Sequence, residues 1–254
     1  MEHIRPGASG TEITDRKWKG LYILSGIILL VTAVLSLVAA YGARTLYSLG
    51  YPNDPASYLQ LVSQHQQLAA ITWCLWIVMD FLGLAPTVAI YLVLARHGRI
   101  LALLGSLFSI FYCVYDVSVT ELNSLTLVSL SHGFANAATD AVRTAIVAAA
   151  AYGYYALPLQ TVLSFGIGSF GYLLWCIPMA KSFFGRWTAI LGIIVNIIGL
   201  FGSAAPVVPS SYLLGLCQFL CVRLIAVWVF VVGVQLYRFG HRVPAVLDNP
   251  ASPS

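Results

Sequence analysis

Charged side chains are scarce in this 254-residue sequence: nine acids and thirteen bases make up 9% of it, against a usual share of about 25%. A soluble fold of this length needs polar side chains over most of its surface, and these are too few to supply them. A cytosolic enzyme and an ordinary secreted domain are therefore excluded. Disorder is excluded by the opposite measure, because 59% of the residues are apolar and disorder requires low hydrophobicity. No polar run is long enough to hold an added soluble catalytic domain. Cysteine is sparse as well: Cys74, Cys113, Cys176, Cys217 and Cys221 all fall within apolar runs, so no disulfide framework is implied. Cys217 and Cys221 share a helix face but have no further His or Cys beside them to make a metal set. Also absent are an internal repeat of the inverted-transporter kind, an aspartate-rich diphosphate-binding run and a ring-forming channel filter.

The sequence does contain a series of long apolar runs, matching a mean hydropathy of +0.86. A membrane span needs about 20 apolar residues at about 1.5 Å each to cross a core of about 30 Å. Six such runs occur, at 20–43, 68–95, 100–126, 159–180, 188–203 and 212–237. The predicted fold class is all-α: one polytopic helix bundle over 20–238, with polar tails at 1–19 and 239–254. Basic residues orient it, because Lys and Arg stay on the cytoplasmic side. With the N-terminus inside, Arg5, Arg16, Lys17, Lys19, Arg96, Arg99, Lys181, Arg186, Arg238 and Arg242 face the cytoplasm, and only Arg44 and Arg143 face outward. This predicts a multi-pass protein of the cytoplasmic membrane with both termini inside. The net charge of +4 is thus an anchoring feature, and a nucleic-acid partner is not predicted.

Two short helices are expected on the outer surface. One lies at 56–68, where Tyr58, Leu61, Val62, His65 and Leu68 recur at helical spacing. The other is 145–157, set off from the fourth span by Pro158 and lying on the surface or folding back into the bundle. The first span exceeds the 7 to 15 apolar residues of a secretion signal and is expected to be retained.

Ionisable residues inside the spans are the strongest functional signal, since a charge in hydrocarbon costs at least ~2.5–3.5 kcal/mol unless paired, protonated or hydrated. They are Asp80, Asp116, Glu121 and Arg223. Counted inward from the outer span ends, Asp116 and Arg223 lie at about 15 Å, Asp80 at about 20 Å and Glu121 at about 8 Å. Ser109, Cys113, Asp116, Thr120 and Asn123 form one polar stripe on the third span and should face protein or water. The expected site pairs Asp116 with Arg223, with Asp80 close by and Glu121 at an outward-opening mouth. Three acids against one base call for a shared proton or a bound cation. The competing structural reading is a buried Asp116–Arg223 pair that fixes helix register while Asp80 is protonated and bonds a neighbouring span.

Other motifs have plainer readings. Gly166, Gly168 and Gly171 spell GxGxxG, but mid-span, without a strand before them or an acid about 20 residues later, so they are not a dinucleotide site. Close helix packing explains them, with Ser164 and Gly168 as a small-xxx-small pair, and the same holds for Gly192, Gly199 and Gly202. Asn196 is placed to bond another helix. His65 and His132 are expected in wet loops rather than on a metal or haem. Trp18, Trp187, Tyr22, Tyr41, Tyr47, Tyr212 and Tyr237 lie near span ends as an interfacial belt. Trp76, Tyr112, Tyr115 and Trp228 lie deeper, either in the core or around the acidic site.

With the spans in place, three segments carry a family resemblance: DFLGLAPTVAIYLVL from Asp80 to Leu94, the basic aromatic turn KSFFGRW, and VWVFVVGVQLYR from Val227 to Arg238. The chain resembles, over most of 19–238, the family of six-span prokaryotic membrane proteins catalogued as domain of unknown function 4386. That resemblance implies a fold and no activity. The functional expectation is recognition or movement of a small solute, cation or proton at Asp80, Asp116, Glu121 and Arg223. The expected partners are the lipid bilayer and that solute or cation, and a homo-oligomer stays open. No catalytic residue, cofactor or metal is predicted. Two alternatives stand beside it: a membrane enzyme using paired carboxyls on a lipid or isoprenoid substrate, and an accessory subunit of a larger complex, which predicts no cavity and an apolar flank for a partner.

Overall fold

The structure is a computed structural model and describes residues 10–48, 54–208 and 211–242. The ends of the expected tails, 1–9 and 243–254, lie outside the described residues, and so does Arg5. Among the described residues every regular element is helical. Helix α1 (Gly10–Ser48) starts well ahead of the apolar run, so hydropathy marks where the span begins but not where the helix does. Helix α2 (Pro55–Gln64) is the short helix expected at 56–68, but it stops at His65, and Leu68 belongs to the helix that follows. Asp54 caps α2, accepting the Ser57 N–H at 3.0 Å, with Pro55 in the first turn. Proline is favoured there because its missing N–H would have had no helical partner.

Helix α3 (Gln66–Tyr115) leaves helical geometry at Gly98 (φ 175°, ψ 76°). The two arms fold back on each other: a Cβ on Gly83 would stand 3.8 Å from Cys113 Sγ. Asp80 and Asp116, equally far from Gly98 along the chain, are neighbours. Eighteen residues per arm is about 27 Å, close to one hydrocarbon thickness. The second arm continues through a π turn (Asp116–Glu121) into α4 (Leu122–Ala135). Then follow α5 (Asp140–Met179), α6 (Gly185–Ser203), a 3-10 turn (Ala205–Val207) and α7 (Tyr212–Arg242). Among the described residues, five helical stretches are long and apolar enough to cross a membrane. The longest, Gln66–Ala135, doubles back at Gly98, so the bundle has six apolar arms.

One expectation is corrected. Residues 145–157 are not a separate surface helix but the first part of α5, which runs unbroken through Pro158. The proline costs α5 one backbone hydrogen bond, and a side chain from α4 braces the helix there. Asn123 Nδ2 donates to Gly153 O at 2.9 Å and to Gln160 Oε1 at 2.8 Å, one contact on each side of Pro158. Gly153 is required for this approach, because a Cβ there would collide with Asn123 Oδ1.

Two cores result. Tyr58, Leu59, Val62, Leu127, Val128, Ala150 and Tyr154 join α2, α4 and α5 at one end of the bundle. The larger core, around Ile90, Leu94, Trp175, Met179, Trp228 and Leu236, lies toward the Gly98 end. The outward faces are apolar, as at Leu24, Ile27, Val31, Val34 and Val38 of α1, which suits lipid and not water.

Small residues set the helix spacing. A Cβ on Gly26 would fall 2.6 Å from Tyr237 N, and one on Gly233 3.1 Å from Gly26 O, so α1 and α7 touch backbone to backbone. Gly105 and Gly171 do the same between α3 and α5. With Gly168 under the Tyr112 ring, the GxGxxG string is a packing seam. Such close approach supplies the van der Waals contact that holds helices together in lipid. Gly185, at φ 78°, makes the tight KSFFGRW turn into α6, a conformation that L side chains rarely adopt.

Candidate functional site

Asp80 lies on the inward stripe of the first α3 arm. Trp76, Asp80, Gly83, Thr87 and Ile90 follow i, i+4, i+7, i+11, i+14, and all five line a cavity of about 140 Å³ between α1, α3, α5 and α7. The facing arm presents Ser109, Cys113, Asp116 and Thr120, all buried as the polar stripe predicted. Asn123 continues that stripe to the α5 brace.

The π turn decides where Glu121 goes. In an α-helix, five residues at about 100° each would set Glu121 about 140° round from Asp116; one extra residue in the turn reduces this to about 40°. Consistent with a π turn, the Leu122 N–H reaches back to Val117 O. Glu121 is therefore buried, 3% exposed, instead of standing at a mouth. Its depth also differs from expectation, because the helical arm continues to Ala135 rather than ending near residue 126.

Asp80 and Asp116, each 5% exposed, are neighbours on the two arms, and Tyr112 is close to both. Asp116 Oδ1 accepts a hydrogen bond from Ser164 Oγ at 2.6 Å, which ties α3 to α5. Glu121 has Asp116, then Asp80, then the Cys74 thiol as its charged or polar surroundings. Asp80 Oδ2, Glu121 Oε2 and Thr120 Oγ1 are buried with no hydrogen-bond partner among the described residues. Among the described residues, Arg143 pairs with Asp140, and none of the three buried acids forms an ion pair with a Lys or Arg.

Arg223 stands apart from the acids, and the expected Asp116–Arg223 pair is not formed. Its Nη1 donates to Phe219 O at 2.7 Å, and its guanidinium lies 3.4 Å from the centroid of the Phe219 ring. Depth along a span says nothing about azimuth around it: Arg223 shares the outward stripe of α7 with Phe219, Leu220, Val227 and Phe230, all exposed.

The remaining cavity wall is mainly aromatic and apolar, with the hydroxyls of Thr32, Ser36 and Ser169 among it. Tyr172 sits between Trp175 (5.4 Å between centroids) and Trp228 (5.8 Å). The indole N–H groups are engaged elsewhere, Trp175 with Ser106 Oγ and Trp228 with Thr188 O, each at 3.1 Å. Of the deep aromatics, Trp76, Tyr112 and Trp228 line the cavity. Sequence reasoning missed Ser164 as the donor to Asp116, having read it as a small packing residue. It also missed the Trp76 to Ile90 stripe, whose periodicity was visible. No set of three or more His, Cys, Asp and Glu among the described residues is arranged to hold a metal. His132 instead lies beside the Asn136 amide, 3.3 Å away.

Six apolar arms around a buried acidic cluster and an aromatic cavity define a polytopic helical membrane protein with a polar site inside its bundle. The chain belongs to the family described as a domain of unknown function, DUF4386, whose profile matches residues 24–240. No curated protein and no solved structure matches it.

Proposed function

We propose that the protein binds a small organic solute in the central cavity, with a cationic or proton-donating end of that solute facing Asp80, and that Asp116 and Glu121 exchange protons with the site. The observation that carries this reading is Asp80: the one described carboxyl in the wall of a mainly apolar and aromatic cavity that also carries the hydroxyls of Thr32, Ser36, Thr87 and Ser169, with a buried oxygen that no described side chain satisfies. A buried acceptor left without a donor costs about 1–3 kcal/mol, and a ligand N–H or O–H would remove that cost. Three neighbouring carboxyls with no adjacent base cannot all carry charge in a low-dielectric bundle. A cationic solute or exchangeable protons balance them. The aromatic wall favours a cation further, through the negative ring faces. A cavity of about 140 Å³ compares with an apolar one of about 150 Å³ that takes up benzene, so small amines of that size are the class to try. The accessory-subunit reading predicts no cavity and is correspondingly disfavoured.

In this reading the protein sits in the cytoplasmic membrane with both termini inside and the α2 end of the bundle outward. Trp76, Trp175 and Trp228 line the cavity and report on its occupancy. Titrating small aromatic and alkyl amines against tryptophan emission of the detergent-solubilised protein should give saturable binding, weakened at least about tenfold by Asp80→Asn. Equal binding of amines and their neutral hydrocarbon analogues, unchanged in Asp80→Asn, would overturn the proposal.

A further inference from the structure

Three basic side chains lie toward the α2 end of the bundle: Arg44, Arg143 and Arg223. Arg143 is accounted for, 3.5 Å from Asp140 and over the Phe134 ring. The other two converge on a different aromatic. Arg44, near the end of α1, and Arg223 of α7 lie 5.5 Å and 3.4 Å from the centroid of the same Phe219 ring. Their guanidinium carbons are thus within about 9 Å of each other, and neither has an acidic partner among the described residues.

We propose that Arg44 and Arg223 bind the phosphate of an anionic phospholipid against Phe219. The surroundings face lipid: Phe219, Leu216, Leu220 and Val227 are exposed on the outer side of α7, and Arg44 is exposed beside them. Two like charges on an apolar surface attract an anion, and no described acid lies beside them. Arg44 sets the level: it directly follows the apolar run 20–43 and is one turn before the end of α1, where a span meets the headgroups. Phe219 and Arg223 start deeper on α7, and their side chains meet the Arg44 guanidinium. Arg223 points toward that same end, because helical side chains lean toward the N-terminus, and α7 begins there. One N–H of Arg223 is used on Phe219 O. A guanidinium has five N–H donors in a planar fork matched to phosphate, so donors remain. This site is independent of the acidic cluster, and its failure would leave the cavity proposal untouched.

Native mass spectrometry of the purified protein, titrated separately with phosphatidylglycerol, with diacylglycerol of the same chains and with inorganic phosphate, tests it. The wild type should bind phosphatidylglycerol about tenfold or more tightly than diacylglycerol, as one or two charge-assisted bonds imply. Arg44→Gln and Arg223→Gln should each remove that preference, and Arg143→Gln should keep it. Arg44 is exposed, so Arg44→Gln does not put the fold at risk and carries the test by itself. Unchanged phosphatidylglycerol binding in Arg44→Gln would overturn the proposal. So would displacement of the lipid by inorganic phosphate, which would make the site one for a soluble anion.

Discussion

Ser164 and Ser109 allow one physical idea to be tested against a matched control. Both serines are 1% exposed, and alanine removes the same hydroxyl from each. Their partners differ. Ser164 Oγ donates across the helix interface to Asp116 Oδ1 at 2.6 Å, whereas Ser109 Oγ donates at 2.8 Å to Gly105 O one turn back in its own helix. In Ser164→Ala a buried carboxyl oxygen loses its donor, which costs about 1–3 kcal/mol. In Ser109→Ala the carbonyl keeps its backbone helical bond, and the change should stay within about 0.5 kcal/mol. For a chain of this size 1 kcal/mol moves Tm by about 2–4 °C. Ser164→Ala should therefore melt about 2–12 °C below the wild type, and Ser109→Ala within about 2 °C of it. Thermal unfolding followed by tryptophan emission, at one detergent concentration, pH and heating rate, reads both. A cycle through Asp116→Asn isolates the pair, with a coupling of about 0.5–3 kcal/mol expected. Equal shifts for the two serines, or a coupling near zero, would refute the assignment of Ser164 as the strut of Asp116.

Other consequences are equally concrete. Gly26→Ala places a Cβ 2.6 Å from the Tyr237 backbone nitrogen, so α1 and α7 must separate; a loss of about 1–3 kcal/mol is expected, read as a lower Tm. The cap of α2 sets a pH dependence. The Ser57 backbone N–H, followed by its hydroxyl, holds the Asp54 carboxyl below its ordinary 3.8, so the native state favours the ionised form. Its contribution is fully present above pH 3.8 and fades as pH falls through the depressed value. Protection of the first-turn amides of α2, measured against their intrinsic exchange rate at each pH, should fall over that acid range, and Asp54→Ala should abolish that fall. The proposed orientation predicts that, in a cysteine-free background, Asn136→Cys reacts with an impermeant maleimide in intact cells. Ser182→Cys should react only after permeabilisation; the reverse pattern would invert the topology.

The stripe Ser109, Cys113, Asp116 and Thr120 was legible in the sequence and is buried, because helical periodicity is a local property, fixed once the segment is helical. The short helix near 56–68 was legible for the same reason, and it forms over Pro55–Gln64. Pro158 misled, because one proline removes a single helical hydrogen bond without having to end the helix, and here Asn123 of a different helix braces the chain on both sides of it. Glu121 misled because a π turn rotates the face on which later residues stand, and nothing local announces that insertion. Arg223 misled because two side chains at equal depth can point in opposite directions.

Composition alone determined the solvent, and the spacing of apolar runs determined the number of arms: 9% charge cannot cover a soluble surface, and about 20 apolar residues match one bilayer. The scarcity of charge likewise confined the candidate chemistry to four residues. Which of those four meet was decided only by the tertiary structure. The turn at Gly98 sets Asp80 beside Asp116, the π turn brings in Glu121, and the outward stripe of α7 carries Arg223 away to Phe219. Hydropathy is a sum along the chain and survives without knowledge of neighbours. Convergence depends on helix azimuth and on backbone approach at the glycine seams, and neither exists until the helices have packed.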